Sequence, residues 1–268
     1  MALQEQTMKL ADGRRLGYAE YGDLGGSVVF LFHGFCGSRL DGKALDATAR
    51  SARVRLIVPD RPGFGLSDPQ VTRTFADWPR DLLELALHVH VDQFSVLGVG
   101  GGAPYGIACC ARIAEHVRSA GVVSGLSPLT AEILSAMSPE KRALFNAGGR
   151  YSWIARRVLR RELSSRRPRS GSSQEGPVQQ ESVPEAFRQG IEGAVHELHL
   201  YRRPWGFAVD AVPLPVLLWH GRMDTEMPPA MAIALADMLP RTITRWYGHE
   251  GSALLSAHAE DILKALIA

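Results

Sequence analysis

Asp224 and His249 are the two residues of this chain whose pairing could do acid–base work. Asp224 closes Leu217-Leu218-Trp219-His220-Gly221-Arg222-Met223-Asp224, and His249 lies in Tyr247-Gly248-His249-Glu250-Gly251. A carboxylate that orients an imidazole and balances its charge makes that imidazole a general base. A third stretch, Leu97-Gly98-Val99-Gly100-Gly101-Gly102-Ala103-Pro104-Tyr105, has the spacing of G-x-S-x-G, whose central serine is a nucleophile. Here the centre is Gly100, which has no side chain. A fourth stretch, His33-Gly34-Phe35-Cys36-Gly37-Ser38, follows an apolar run directly and could aim a backbone N–H at a carbonyl oxygen that becomes negative.

Each of these stretches needs a strand to hold it. Short apolar β-rich runs occur at Leu16 to Tyr21, Val28 to Phe32, Val54 to Val58, Phe94 to Leu97, Gly121 to Val123 and Val216 to Trp219. Thr242 to Tyr247 is a weaker edge candidate. Between them, Trp78 to Val91 and Pro229 to Leu239 space their apolar residues by three and four, as amphipathic helices do. Continuous apolar strands alternating with helices predict an α/β protein. Its central sheet is mostly parallel, with helices on both faces. The rhythm breaks from about Ser127 to Ala211, which holds no strong strand. This span reads as a helical insertion, residues 127–211, between core segments 1–126 and 212–268. The basic run Arg156 to Arg169 reads as a solvated helix face plus linker, and a flexible loop is expected near 164–183 because that stretch is too polar to pack.

Composition bounds the partners. The chain has 268 residues, a formal net charge of +2, 46% hydrophobic and 22% charged residues, so nothing global argues for nucleic acid. Three cysteines, two adjacent (Cys109, Cys110), make no disulfide framework. The first residues lack a signal-peptide core, and no apolar run is long enough to span a membrane. The expectation is a cytoplasmic protein with no metal and no cofactor, acting on a small molecule. Its oligomeric state is not readable.

The motifs, taken in order, resemble the α/β-hydrolase fold family over roughly Asp12 to the C-terminus, in the manner of its small esterase-like members. Asp60-Arg61-Pro62-Gly63-Phe64-Gly65-Leu66-Ser67-Asp68 is similar to that family's turn after the next strand. The order elbow, acid, histidine is the one this fold uses. The resemblance implies Asp224 as the acid, His249 as the histidine and Gly100 as the vacant nucleophile position. It also implies the N–H groups of Phe35 and Gly101 as an oxyanion hole, and 127–211 as a cap. Phe35, Cys36, Trp153, Trp205 and Phe207 are then candidates for the substrate-binding wall, for an apolar carbonyl or ester-like molecule.

Three functions fit this reading. The leading one, to which the other two are alternatives, is non-covalent chemistry of lyase, cyclase or cofactor-free type, with His249 and Asp224 as a general-base pair working beside the oxyanion hole. The second is an inactive scaffold that binds a ligand or partner. The third is a carboxylesterase-type hydrolase whose serine has been replaced by design. Cys36 could be a displaced nucleophile or a small buried thiol. His196 and His199, three apart, lack a third metal ligand and read as surface or cap-lining residues. His33 and Asp60 read as loop-fixing, and His88 and His90 as helix-end residues.

Overall fold

The computed structural model describes residues 3–150, 152–165, 177–251 and 253–268. Eight strands form one sheet: β1 (Leu3–Lys9), β2 (Arg15–Gly22), β3 (Ser27–Phe32), β4 (Val54–Pro59), β5 (Phe94–Val99), β6 (Val117–Val123), β7 (Val216–Gly221) and β8 (Thr242–Tyr247). Their order across the sheet is β1-β2-β4-β3-β5-β6-β7-β8. The β1–β2 and β2–β4 pairs are antiparallel, and every pair from β4 to β8 is parallel.

The apolar runs become central strands because both of their faces are covered. Phe30, Phe32, Phe94 and Val96 point into a core closed by helices Trp78–His88 and Ala103–Arg112. Val29, Leu31, Leu97 and Trp219 point the other way, onto Ala49, Ile262 and Leu263. A strand buried on both sides cannot alternate apolar with polar residues, which is why these read as unbroken runs. The expected β2 to β8 are present. β1 was not expected, because Gln4, Glu5, Gln6 and Thr7 make it too polar. It survives as an edge strand, where exposed polar residues suit an unpaired side.

Among the described residues, five α-helices lie between β6 and β7: Ala131–Ala136, Pro139–Arg150, Ser152–Ser165, Pro177–Ala186 and Glu192–Tyr201. Of the loop expected near 164–183, residues 166–176 lie outside the described residues. Residues 164–165 end one helix, and 177–183 belong to the next. Helix Pro177–Ala186 is tied to the loop after β3. Ser182 Oγ accepts from the Ser38 N–H (3.0 Å) and pairs with Ser38 Oγ (2.9 Å), while Glu185 accepts from Arg39 (2.7 Å). Arg39 also bonds Asp60 (2.9 Å), so Asp60 does fix its loop. Among the described residues, no helix is long and apolar enough to cross a membrane.

Candidate functional site

The carboxyl ends of β3, β5, β6 and β7 converge, which is where ligands bind in open α/β sheets. β5 runs into the turn Gly100–Gly102 and then helix Ala103–Arg112. Gly100 has φ +51, the left-handed conformation that L side chains adopt only under strain. A Cβ there would have room, meeting Met227 Cε at 3.6 Å, Gly34 Cα at 3.9 Å and the Ser124 carbonyl at 3.9 Å. Gly101 is crowded instead: its Cβ would fall 2.2 Å from the Tyr201 hydroxyl and 3.2 Å from the Phe35 nitrogen. The turn therefore brings Phe35 and Gly101 together, and Tyr201 donates to the Gly101 carbonyl at 3.0 Å. The Phe35 ring lies against those of Tyr201 (5.8 Å) and Phe145 (6.4 Å).

Asp224 is buried. Its Oδ1 accepts from the N–H groups of Glu226 and Met227, both at 2.9 Å. Its Oδ2 is enclosed without a partner. His249 was expected to supply that partner and does not. It is exposed, and among the described residues no hydrogen bond or ion pair joins it to Asp224. Arg222 N–H donates to the Tyr247 carbonyl (2.8 Å) and Met223 N–H to the Glu250 carbonyl (3.0 Å), stitching residues 247–250 to the Asp224 loop.

Two polar side chains not foreseen from sequence stand on the neighbouring strand ends. Ser124, just past β6, has φ +45, and its hydroxyl is buried without a partner. Its N–H donates to the Trp219 carbonyl at 2.9 Å. His220 is 1% exposed, its Nε2 bonds the Met227 carbonyl at 2.8 Å, and its Nδ1 has no partner. Burial lowers the His220 pKa against the opposing pull of the Met227 carbonyl and Asp224, which keeps the ring neutral. The available signals were weak: a serine ending the Val122-Val123 run, and a histidine inside Trp-His-Gly.

The opposite side of the turn carries a buried charge cluster that sequence reasoning also missed. Glu197, on helix Glu192–Tyr201, takes Arg61 Nε and Nη2 at 2.8 Å each and the Tyr105 hydroxyl at 2.6 Å. Arg61 also donates to the carbonyls of His33 and Gly34, the latter at 3.2 Å, so it backs the chain leading to Phe35. Arg73 bonds the Tyr105 hydroxyl and the Pro62 carbonyl. Burial disfavours the Arg61 charge, but Glu197 outweighs it and the pKa rises. His33, buried beside Arg61, is driven well below its ordinary value and is neutral.

The remaining expected wall residues divide. Trp153 is 62% exposed, because helix Ser152–Ser165 buries the face of Ala155 and Leu159 instead. Trp205 and Phe207 pack on each other (5.9 Å), and Trp205 packs on Phe75 (6.0 Å). Cys36 has φ +64 and is partly buried. Cys109 and Cys110 are buried helix residues, and burial pushes the Cys110 thiol up to about 12. His199 bonds the Gly148 carbonyl, and no cluster among the described residues could hold a metal.

A doubly covered parallel sheet, with a glycine turn and an acid loop at its strand ends, defines an α/β-hydrolase-type scaffold. The chain belongs to the alpha/beta hydrolase fold family, whose sequence profile matches residues 27–251. It is 26% identical to 2-hydroxymuconate semialdehyde hydrolase of Pseudomonas putida over 259 residues, 94% of this chain and 89% of that protein. It is 30% identical to Lipase 1 of Psychrobacter immobilis over 131 residues, 45% of this chain but only 38% of that protein. An esterase from Rhodococcus sp. ECU1013 matches with TM-score 0.70 over 98% of this chain and all of its own, at 18% identity, a likeness of fold.

Proposed function

We propose that this chain binds a compact, largely apolar ligand at its strand ends and does not turn over esters through an acyl-enzyme. The observation that carries this reading is that Asp224 Oδ2 has no partner while His249 is exposed, at a turn where Gly100 supplies no nucleophile. Covalent chemistry needs both an attacking atom and a base to take its proton. General-base chemistry without a nucleophile still needs the imidazole oriented by the acid, so the same observation weighs against it. The aromatic surface of Phe35, Phe145 and Tyr201, with Met227 against Gly100, suits an apolar body.

The test combines p-nitrophenyl ester hydrolysis with fluorophosphonate labelling of the purified protein. No burst and no label are the expected outcomes. A stoichiometric burst would overturn the reading, and its loss in Cys36→Ala would locate the nucleophile.

A further inference from the structure

Three buried polar atoms at the strand ends have no partner: Ser124 Oγ, His220 Nδ1 and Asp224 Oδ2. Native proteins leave few such atoms, because each forfeits its hydrogen bonds to water and gains nothing in return. These three are not scattered. Ser124 N–H bonds the Trp219 carbonyl, and His220 is the next residue. His220 Nε2 bonds the Met227 carbonyl, and Met227 N–H bonds Asp224 Oδ1. The Ser124 carbonyl and the Met227 methyl both lie within 4 Å of where a Cβ on Gly100 would sit. One short hydrogen-bonded path therefore carries all three atoms around the turn.

Their chemistry is one-sided. A carbonyl only accepts, so the bond to Met227 puts the proton of the neutral His220 ring on Nε2 and leaves Nδ1 a lone pair. Asp224 Oδ2 is a carboxyl acceptor, and among the described residues no Lys, Arg or His is ion-paired with it. Ser124 Oγ can accept as well as donate. Arg61 cannot reach over to compensate, since four of its five N–H groups are already committed to Glu197, His33 and Gly34. A group satisfying the set must bring donors. A primary ammonium brings three N–H donors and the charge that a buried carboxylate lacks.

We infer that Ser124, His220 and Asp224 form a recognition slot for a primary ammonium group carried on a compact apolar body. This rests on the binding reading above and deepens it by naming the ligand's head group. The slot selects cations over anions of the same shape, and its selectivity resides in Asp224.

The experiment measures dissociation constants of the full chain for 2-phenylethylamine, 2-phenylethanol, 3-phenylpropionate and ethylbenzene by calorimetry or ligand-observed NMR. The amine should bind about 10- to 100-fold tighter than the alcohol, the range a charged hydrogen bond supplies, with the carboxylate weakest. Asp224→Asn, which keeps the shape and one acceptor oxygen, should erase the preference for amine over alcohol. Ser124→Ala should weaken the amine while leaving the order intact. Preference for the carboxylate, an amine preference that survives in folded Asp224→Asn, or no binding by any of the four would overturn the inference. An ester burst would overturn the function proposed above without bearing on this order, so the two failures are distinguishable.

Discussion

Glu197→Gln is the substitution that this structure weighs most heavily. Glu197 is completely buried and is the carboxylate on which Arg61 and the Tyr105 hydroxyl converge, with Arg73 Nη2 at 3.9 Å. Glutamine keeps the shape and one acceptor oxygen but removes the charge, so two buried guanidinium groups lose their counterion. Breaking a buried pair from one side costs about 3–5 kcal/mol, because the uncompensated charge stays behind. For a domain of this size that is a fall of about 6–20 °C in Tm. Urea unfolding followed by circular dichroism should show the midpoint drop with the slope unchanged. The control is Arg61→Met with Glu197→Leu. Replacing the Arg61–Glu197 pair by apolar residues together should recover much of the loss, since the pair repays little beyond its own desolvation. A loss below about 1 kcal/mol for Glu197→Gln, as for an exposed ion pair, would refute the claim that this cluster is dry and that it joins the β6–β7 helices to the core.

Asp41→Asn should stabilise the protein above pH 6. Burial against Gly37 raises the Asp41 carboxyl to about 6, with a Ser182 hydrogen bond opposing, so the native state holds a proton that the unfolded chain has lost. Stability therefore falls as pH rises from about 4 to 6. Removing the group should return about 1–3 kcal/mol at pH 7, read as a flattened pH dependence of thermal unfolding. Gly100→Ser should fold, at a cost of about 1–2 kcal/mol for a left-handed residue with a side chain. It should stay unlabelled by fluorophosphonate, because no imidazole is positioned to activate it; rapid labelling would show the base to be in place. Gly101→Ala should cost about 1–3 kcal/mol, since its methyl would strike the Tyr201 hydroxyl 2.2 Å away, and Tyr201→Phe in the same chain should recover part of it.

The sheet was legible because burial on both faces leaves a local mark, the apolar run, at its central strands, while β8 showed only as a weaker edge candidate. β1 escaped because an edge strand needs no such run. The glycine turn was legible for a similar reason, its spacing being set by contacts within a few residues. What the sequence could not show was which far-apart polar residues meet. Arg61 and Glu197 are 136 positions apart, and nothing near either announces the other. Asp224 and His249 stood in the right order, yet order does not fix side-chain direction. The bonds from Arg222 and Met223 hold the 247–250 backbone beside the Asp224 loop, yet the His249 side chain is exposed, and no pattern of residue types records this. Trp153 shows the same limit on a helix: its position relative to Ala155 and Leu159 puts it on the outer face, whatever its apolar character promised.

The two sides of the Gly100 turn differ in how their polar groups are paired, and this asymmetry follows from how each is built. On the side of β3 and β4, Arg61 and Arg73 share the carboxyl of Glu197, and carbonyls of His33, Gly34 and Pro62 take further donors, although Arg73 Nε has no partner. That cluster holds the Phe35 loop against the helix that carries Glu197 and Tyr201. On the side of β6 and β7, the loop satisfies only one oxygen of Asp224 and one nitrogen of His220, each through backbone groups of residues 226 and 227. The stability of the fold rests on the two apolar layers below, which is why the strand ends can carry the unpaired acceptors that the proposed ligand would meet.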